Sequence, residues 1–134
     1  MKPLFSVYVV LILSMISCSN DDDSNDAIAS GLNGKWNLVN ISGGFTGIDH
    51  DFAIGTIVWD FNETNNMVTV TNNNTDTTIS DILPSGTYSY SIVDKESIKE
   101  LIVNDINRGT FEMTNDEFII NEQFRDGFRV VFRR

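Results

Sequence analysis

The chain has 134 residues, with nine basic against nineteen acidic side chains, a net charge of −10 at neutral pH and a pI near 4.2. That charge is repelled by phosphate backbones, which argues against nucleic acid as a partner, and a single cysteine rules out a disulfide within the chain. The length suffices for one cored domain and not for two.

The first element is apolar. Lys2 precedes an uncharged run from Leu4 to Ile16, and Ser17 sets a small residue before the only cysteine, Cys18. This is the layout of a secretory signal peptide over residues 1–17, too short for a membrane span of about 20 apolar residues. After Cys18 the chain turns abruptly polar, and repulsion among Asp21, Asp22, Asp23 and Asp26 keeps residues 18–30 extended as a tether. Residues 31–134 then carry eight basic and fifteen acidic side chains, net −7.

Past the tether, apolar and polar residues alternate in short runs separated by Gly, Asn, Asp, Ser and Pro, the period-two mark of half-buried strands. Eight runs are predicted as strands: Lys35–Ile41, Thr56–Asn62, Met67–Asn72, Thr87–Val93, Glu100–Asn104, Gly109–Thr114, Glu117–Asn121 and Phe128–Arg133. Between the fourth and fifth, Asp94–Glu100 reads as at most one helical turn. Glu63–Asn66, Asn115-Asp116 and Arg125-Asp126-Gly127 carry hairpin chemistry, because Asn, Asp and Gly tolerate positive φ. Parallel strands would need crossovers of a dozen or more residues, for which there is no room. The expected fold class is all-β, a small eight-stranded antiparallel up-and-down barrel whose closure removes the two open edges of a meander.

Alternation assigns an inward face to Trp36, Leu38, Ile57, Trp59, Phe61, Val68, Val70, Tyr88, Tyr90 and Ile92. Phe111, Met113, Phe118, Ile120, Phe128, Val130 and Phe132 follow in the later strands, with Arg129 and Arg133 facing water. Two connections are longer than the rest. Ser42–Gly55 mixes glycines with Phe45, Ile48 and Phe52, and Asn73–Gly86 is polar apart from Ile79, Ile82 and Leu83; these are the expected lid and rim.

Four segments resemble known families. Met15-Ile16-Ser17-Cys18 is similar to the lipobox of bacterial lipoproteins, with Met15 where Leu is usual; the resemblance implies cleavage before Cys18, acyl chains such as palmitate on its thiol, and anchorage to the outer membrane. Ser19-Asn20-Asp21-Asp22-Asp23 resembles the acidic export signal of Bacteroidetes surface lipoproteins, which implies exposure at the cell surface. Gly31-Leu32-Asn33-Gly34-Lys35-Trp36-Asn37-Leu38 is similar to the first-strand Gly-x-Trp signature of lipocalin-like domains, and Gly86-Thr87-Tyr88 resembles a strand start of their small Bacteroidetes lipoprotein members. That resemblance implies a lipocalin-like barrel over residues 31–134, in which Trp36 plugs the closed end and Arg133 or Arg129 packs across it as a cation–π partner.

Catalytic chemistry is sparse. His50, between Asp49 and Asp51, is the only histidine, and without a second His or Cys after Cys18 a three-ligand zinc site cannot be assembled. No nucleophile turn accompanies His50, nothing selects a pair among the carboxylates, and no glycine-rich loop joins a strand to a helix. The expectation is therefore no enzyme, no metal and no cofactor. Asp76-Thr77-Thr78 resembles an O-glycosylation acceptor, although a plain polar loop is favoured. Two functions are weighed. One is binding of a small apolar or amphipathic ligand by Trp59, Tyr88 and Tyr90 with Phe45 and Phe52 at the rim, which needs an interior site of about 300 Å³ or more. The other is an interaction module that docks a protein or glycan through the long loops, with a solid core.

Overall fold

The computed structural model describes residues 31–134; the expected signal peptide, Cys18 and the expected tether lie outside the described residues. Nine antiparallel strands follow one another: β1 (Gly34–Gly43), β2 (Ile48–Asp51), β3 (Ile57–Asn62), β4 (Met67–Asn72), β5 (Gly86–Lys95), β6 (Ile98–Val103), β7 (Ile106–Met113), β8 (Glu117–Asn121) and β9 (Phe128–Arg133). Each pairs with its neighbour along the meander from β3 to β9, and β9 returns to β1 through Asn37↔Arg133 to Gly43↔Phe128.

Nine strands make an eight-position ring because β2 and β3 share one place. The first half of β1 pairs with β3, from Gly34↔Phe61 to Asn37↔Val58, and its second half pairs with β2, from Asn40↔Asp51 to Gly43↔Ile48. The expected eight-stranded up-and-down barrel is therefore the fold, with one strand interrupted.

Two local expectations are corrected. Ser42–Gly55 is not one long loop: β1 runs on to Gly43, and β2 comes back after a tight turn in which Gly43, Gly44 and Gly47 all have positive φ. Asn40 fixes the return, its amide donating to Asp49 and Asp51 at 2.8 Å each, so the acidic pair beside His50 holds strand register. Asp94–Glu100 contains no helical turn; Lys95↔Ile98 closes a two-residue hairpin with Glu96 at φ 57.

Aromatic rings fill the interior. Trp36, Trp59, Phe61, Phe118 and Phe132 are fully buried, and Phe118 stacks on Phe132 at 4.3 Å while meeting Trp36 edge-on at 5.0 Å. Trp36 closes the end of the barrel where β1 starts, its indole N–H donating to the Leu32 carbonyl at 2.7 Å. The cation over it is Arg134, at 4.2 Å from the ring, and not Arg133 or Arg129. Arg133 sits on the outer face and pairs with Glu117 at 2.8 Å, as strand alternation dictates. Arg134, past the strand's last residue, curls under the barrel and donates to the carbonyls of Gly31 and Asn33. Arg134→Ala is accordingly expected to lower stability by about 1–2 kcal/mol, through the lost cation–π contact and carbonyl bonds. Arg133→Ala, which removes one exposed ion pair, should cost about 0–1 kcal/mol, both variants being measured by urea titration.

Candidate functional site

The two ends of the barrel differ. Trp36, Arg134 and the tight turns after β3, β5 and β7 lie at one end, beside a solvent-open hollow of about 390 Å³ lined by Leu32, Glu63, Asn66 and Tyr90. The other carries the long β4–β5 connection, the β8–β9 connection and the β1–β2 turn, and Gly44 N–H donates to the Gly127 carbonyl at 3.0 Å to join the last two.

The β4–β5 connection is held down by its own polar residues. Asn72 donates to the Leu83 carbonyl at 3.0 Å, Ser85 Oγ accepts from the Asn72 N–H at 2.8 Å, and Asn74 donates to Asp81 at 3.2 Å. Asp76 accepts from the Thr78 N–H and hydroxyl, and these bonds hold its carboxyl below the usual range. Leu83 enters the core, and Ile79 and Ile82 pack against it. Around Ile82 the chain makes a γ-turn, with Leu83 N–H donating to the Asp81 carbonyl at 2.9 Å and Ile82 at φ 73. A β-branched residue at positive φ is strained by about 1–3 kcal/mol, and such strain concentrates at functional sites.

Below this connection lies a recess of about 210 Å³ lined by Ser80, Ile82, Arg108, Ile120, Glu122, Phe128 and Val130. Arg108 reaches it through a β-bulge: Glu100 pairs with Thr110 and Ile102 with Asn107, leaving Arg108 and Gly109 opposite the single Leu101. The extra residue resets the alternation of β7 and aims a cation inward. Gly109 carries the bulge at φ 111, its N–H donating to Asn107 at 2.8 Å.

Among the described residues, Arg108 has no ion pair, and its buried Nε has no acceptor. Burial draws its guanidinium below the usual value, while Glu122 and Tyr88 act the other way. Glu122 is already committed, pairing with Arg125 at 3.0 Å.

The expected ligand residues are not gathered round one cavity. Trp59 is fully buried against Phe132 at 4.8 Å, and its indole N–H has no acceptor among the described residues. Tyr90 is buried edge-on against Phe61, and its phenol is raised by burial and by Glu63. Tyr88 is half-buried, its hydroxyl donating to the Pro84 carbonyl at 2.9 Å, so it fastens the long connection. Phe52 lies in the core beside His50, and Phe45 points out of the β1–β2 turn, 95% exposed. No exposed patch joins Phe45 and Phe52. The recess at Arg108 is smaller than the 300 Å³ set for a carrier, and the larger hollows, about 390 Å³ beside Tyr90 and about 590 Å³ beside Ile98 and Phe124, are more open to solvent, while aromatic rings occupy the barrel's middle.

No family model matches the chain, and no curated protein does. Among solved structures it is similar to a lipocalin-like protein from Bacteroides uniformis, over 78% of this chain and 98% of that one, with 13% sequence identity and a TM-score of 0.48.

Sequence reasoning missed Arg108, which it left between two strands. The signal was the Asn104-Asp105 pair, both at positive φ in a two-residue hairpin between Val103 and Ile106, followed by Gly109 inside an otherwise alternating run. A glycine at that point marks a bulge.

Proposed function

We propose that this chain is a lipid-anchored binding module of the outer membrane, facing the cell surface, whose recognition end is the open end of the barrel. The observation that carries this reading is the contrast between an interior filled by Trp59, Phe61, Phe118 and Phe132 and a recess at the open end, roofed by the strained turn at Ile82. A filled interior supports docking of a protein or glycan by the loops over enclosure of an apolar molecule. The recess accepts a protruding group and not a whole lipid. The resemblance of Met15-Ile16-Ser17-Cys18 to a lipobox and the acidic run that follows it support the anchor.

Two experiments test the reading. Cys18→Ala is expected to move the protein from the membrane fraction to the soluble fraction; continued membrane association would overturn the anchor. A panel of neutral and acidic oligosaccharides, presented to the full chain in detergent, is expected to give binding that Ile82→Glu abolishes and Ile98→Glu, on the outer wall, leaves intact. The opposite pattern would move recognition off the open end.

A further inference from the structure

We infer that the open-end recess is a carboxylate site, with Arg108 as the residue that binds the anionic group. The inference rests on the open-end reading and specifies what enters it. An arginine fork is satisfied by a planar anion, and this one is turned inward by a bulge, has a buried Nε without an acceptor, and faces a recess whose one carboxylate, Glu122, is held by Arg125. Leaving a charged donor unpartnered in a part-buried site is costly, and a ligand oxygen removes that cost.

Charge and size narrow the class. Arg108 and Glu122 line the recess and Arg125 pairs with Glu122, so the three groups together carry one positive charge, which suits a monoanion, and the Glu122 carboxylate disfavours a dianionic phosphate. A volume of about 210 Å³ corresponds to roughly seven waters, room for one small ring or short chain. Ile82, Ile120, Phe128 and Val130 give that group an apolar wall, and Ser80 offers a hydroxyl at the rim. The ligand is therefore a small monocarboxylate, either a free acid or the acidic sugar of a glycan.

The test is amide chemical-shift mapping of the full chain in detergent micelles, titrated with benzoate, glucuronate, their neutral amides and inorganic phosphate. Saturable shifts with either carboxylate are expected at Ile82, Arg108, Glu122 and Phe128, with little response to the amides or to phosphate. Benzoate alone would identify free acids as the source, and glucuronate alone an acidic sugar. Arg108→Gln should weaken binding by roughly thirty-fold or more, whereas Lys99→Gln should leave it unchanged. Arg108→Lys, which keeps the charge and loses the fork, should fall between them. Equal shifts from acids and amides at these residues would overturn the carboxylate inference and leave the open-end reading standing. Shifts elsewhere on the barrel would remove both. Silence from every probe would overturn the inference, the open-end reading then resting on the Ile82→Glu and Ile98→Glu comparison.

Discussion

Phe118→Ala is expected to lower the unfolding free energy by about 3–5 kcal/mol, the range for deleting a buried aromatic ring. The reason is its place at the meeting of five strands. From β8 it stacks on Phe132 of β9 and makes edge or tilted contacts with Trp36 of β1, Phe61 of β3 and Phe111 of β7 at 5.0, 5.8 and 5.7 Å. The hole left by the ring would be walled by other rings that are themselves locked by strand pairing, so collapse into it is limited. Since domains are stable by only about 5–15 kcal/mol, the loss is a large share of the total. Urea titration should show a lower midpoint at unchanged slope. Phe45→Ala, at the exposed turn, should stay within about 0.5 kcal/mol. A Phe118→Ala midpoint equal to that of Phe45→Ala would mean the interior is looser than its packing.

Gly109→Ala is the second large effect, expected at about 2–5 kcal/mol from backbone strain and overpacking together. A methyl there would stand 2.4 Å from the Asn121 carbonyl oxygen and 2.6 Å from Glu122 Cγ, on backbone set at φ 111. The nearest atom is main chain, so no flexible side chain can swing aside. Gly55→Ala is the control, because its φ of 88 meets open space and leaves strain alone, about 1 kcal/mol. Equal costs for the two would show that β7 can shed its bulge. Arg108 would then lose the geometry that turns it inward, and carboxylate binding would fall with stability.

The strands were legible because period-two alternation is forced by burying one face of a closed sheet. All eight runs correspond to strands, and the inward Trp36, Trp59, Phe61, Phe118 and Phe132 are the core. β2 was not legible, since Ile48-Asp49-His50-Asp51 places acids outward in a run too short to carry a pattern, and its register depends on Asn40 eight or more residues away. The choice of Arg134 over Arg133 turns on the residue at which β9 stops, and strand ends are the least determined part of any pattern. The candidate site was least legible of all. Alternation cannot tell a ring that lines a cavity from a ring that fills it, so Trp59 and Tyr90 served equally well for either. Arg108 faces the recess only because two residues of β7 oppose one of β6, a fact of pairing between strands.

A solid barrel that recognises its partner at the open end holds no molecule in its interior. Native mass spectrometry of the full chain in detergent can compare the folded mass with the mass after unfolding. A solid barrel gives the same mass in both states, that of the chain with any group covalently attached to it. A noncovalent apolar molecule present in the folded protein and lost on unfolding would contradict it, and would mean that Trp59, Phe61 and Phe118 part to admit a ligand.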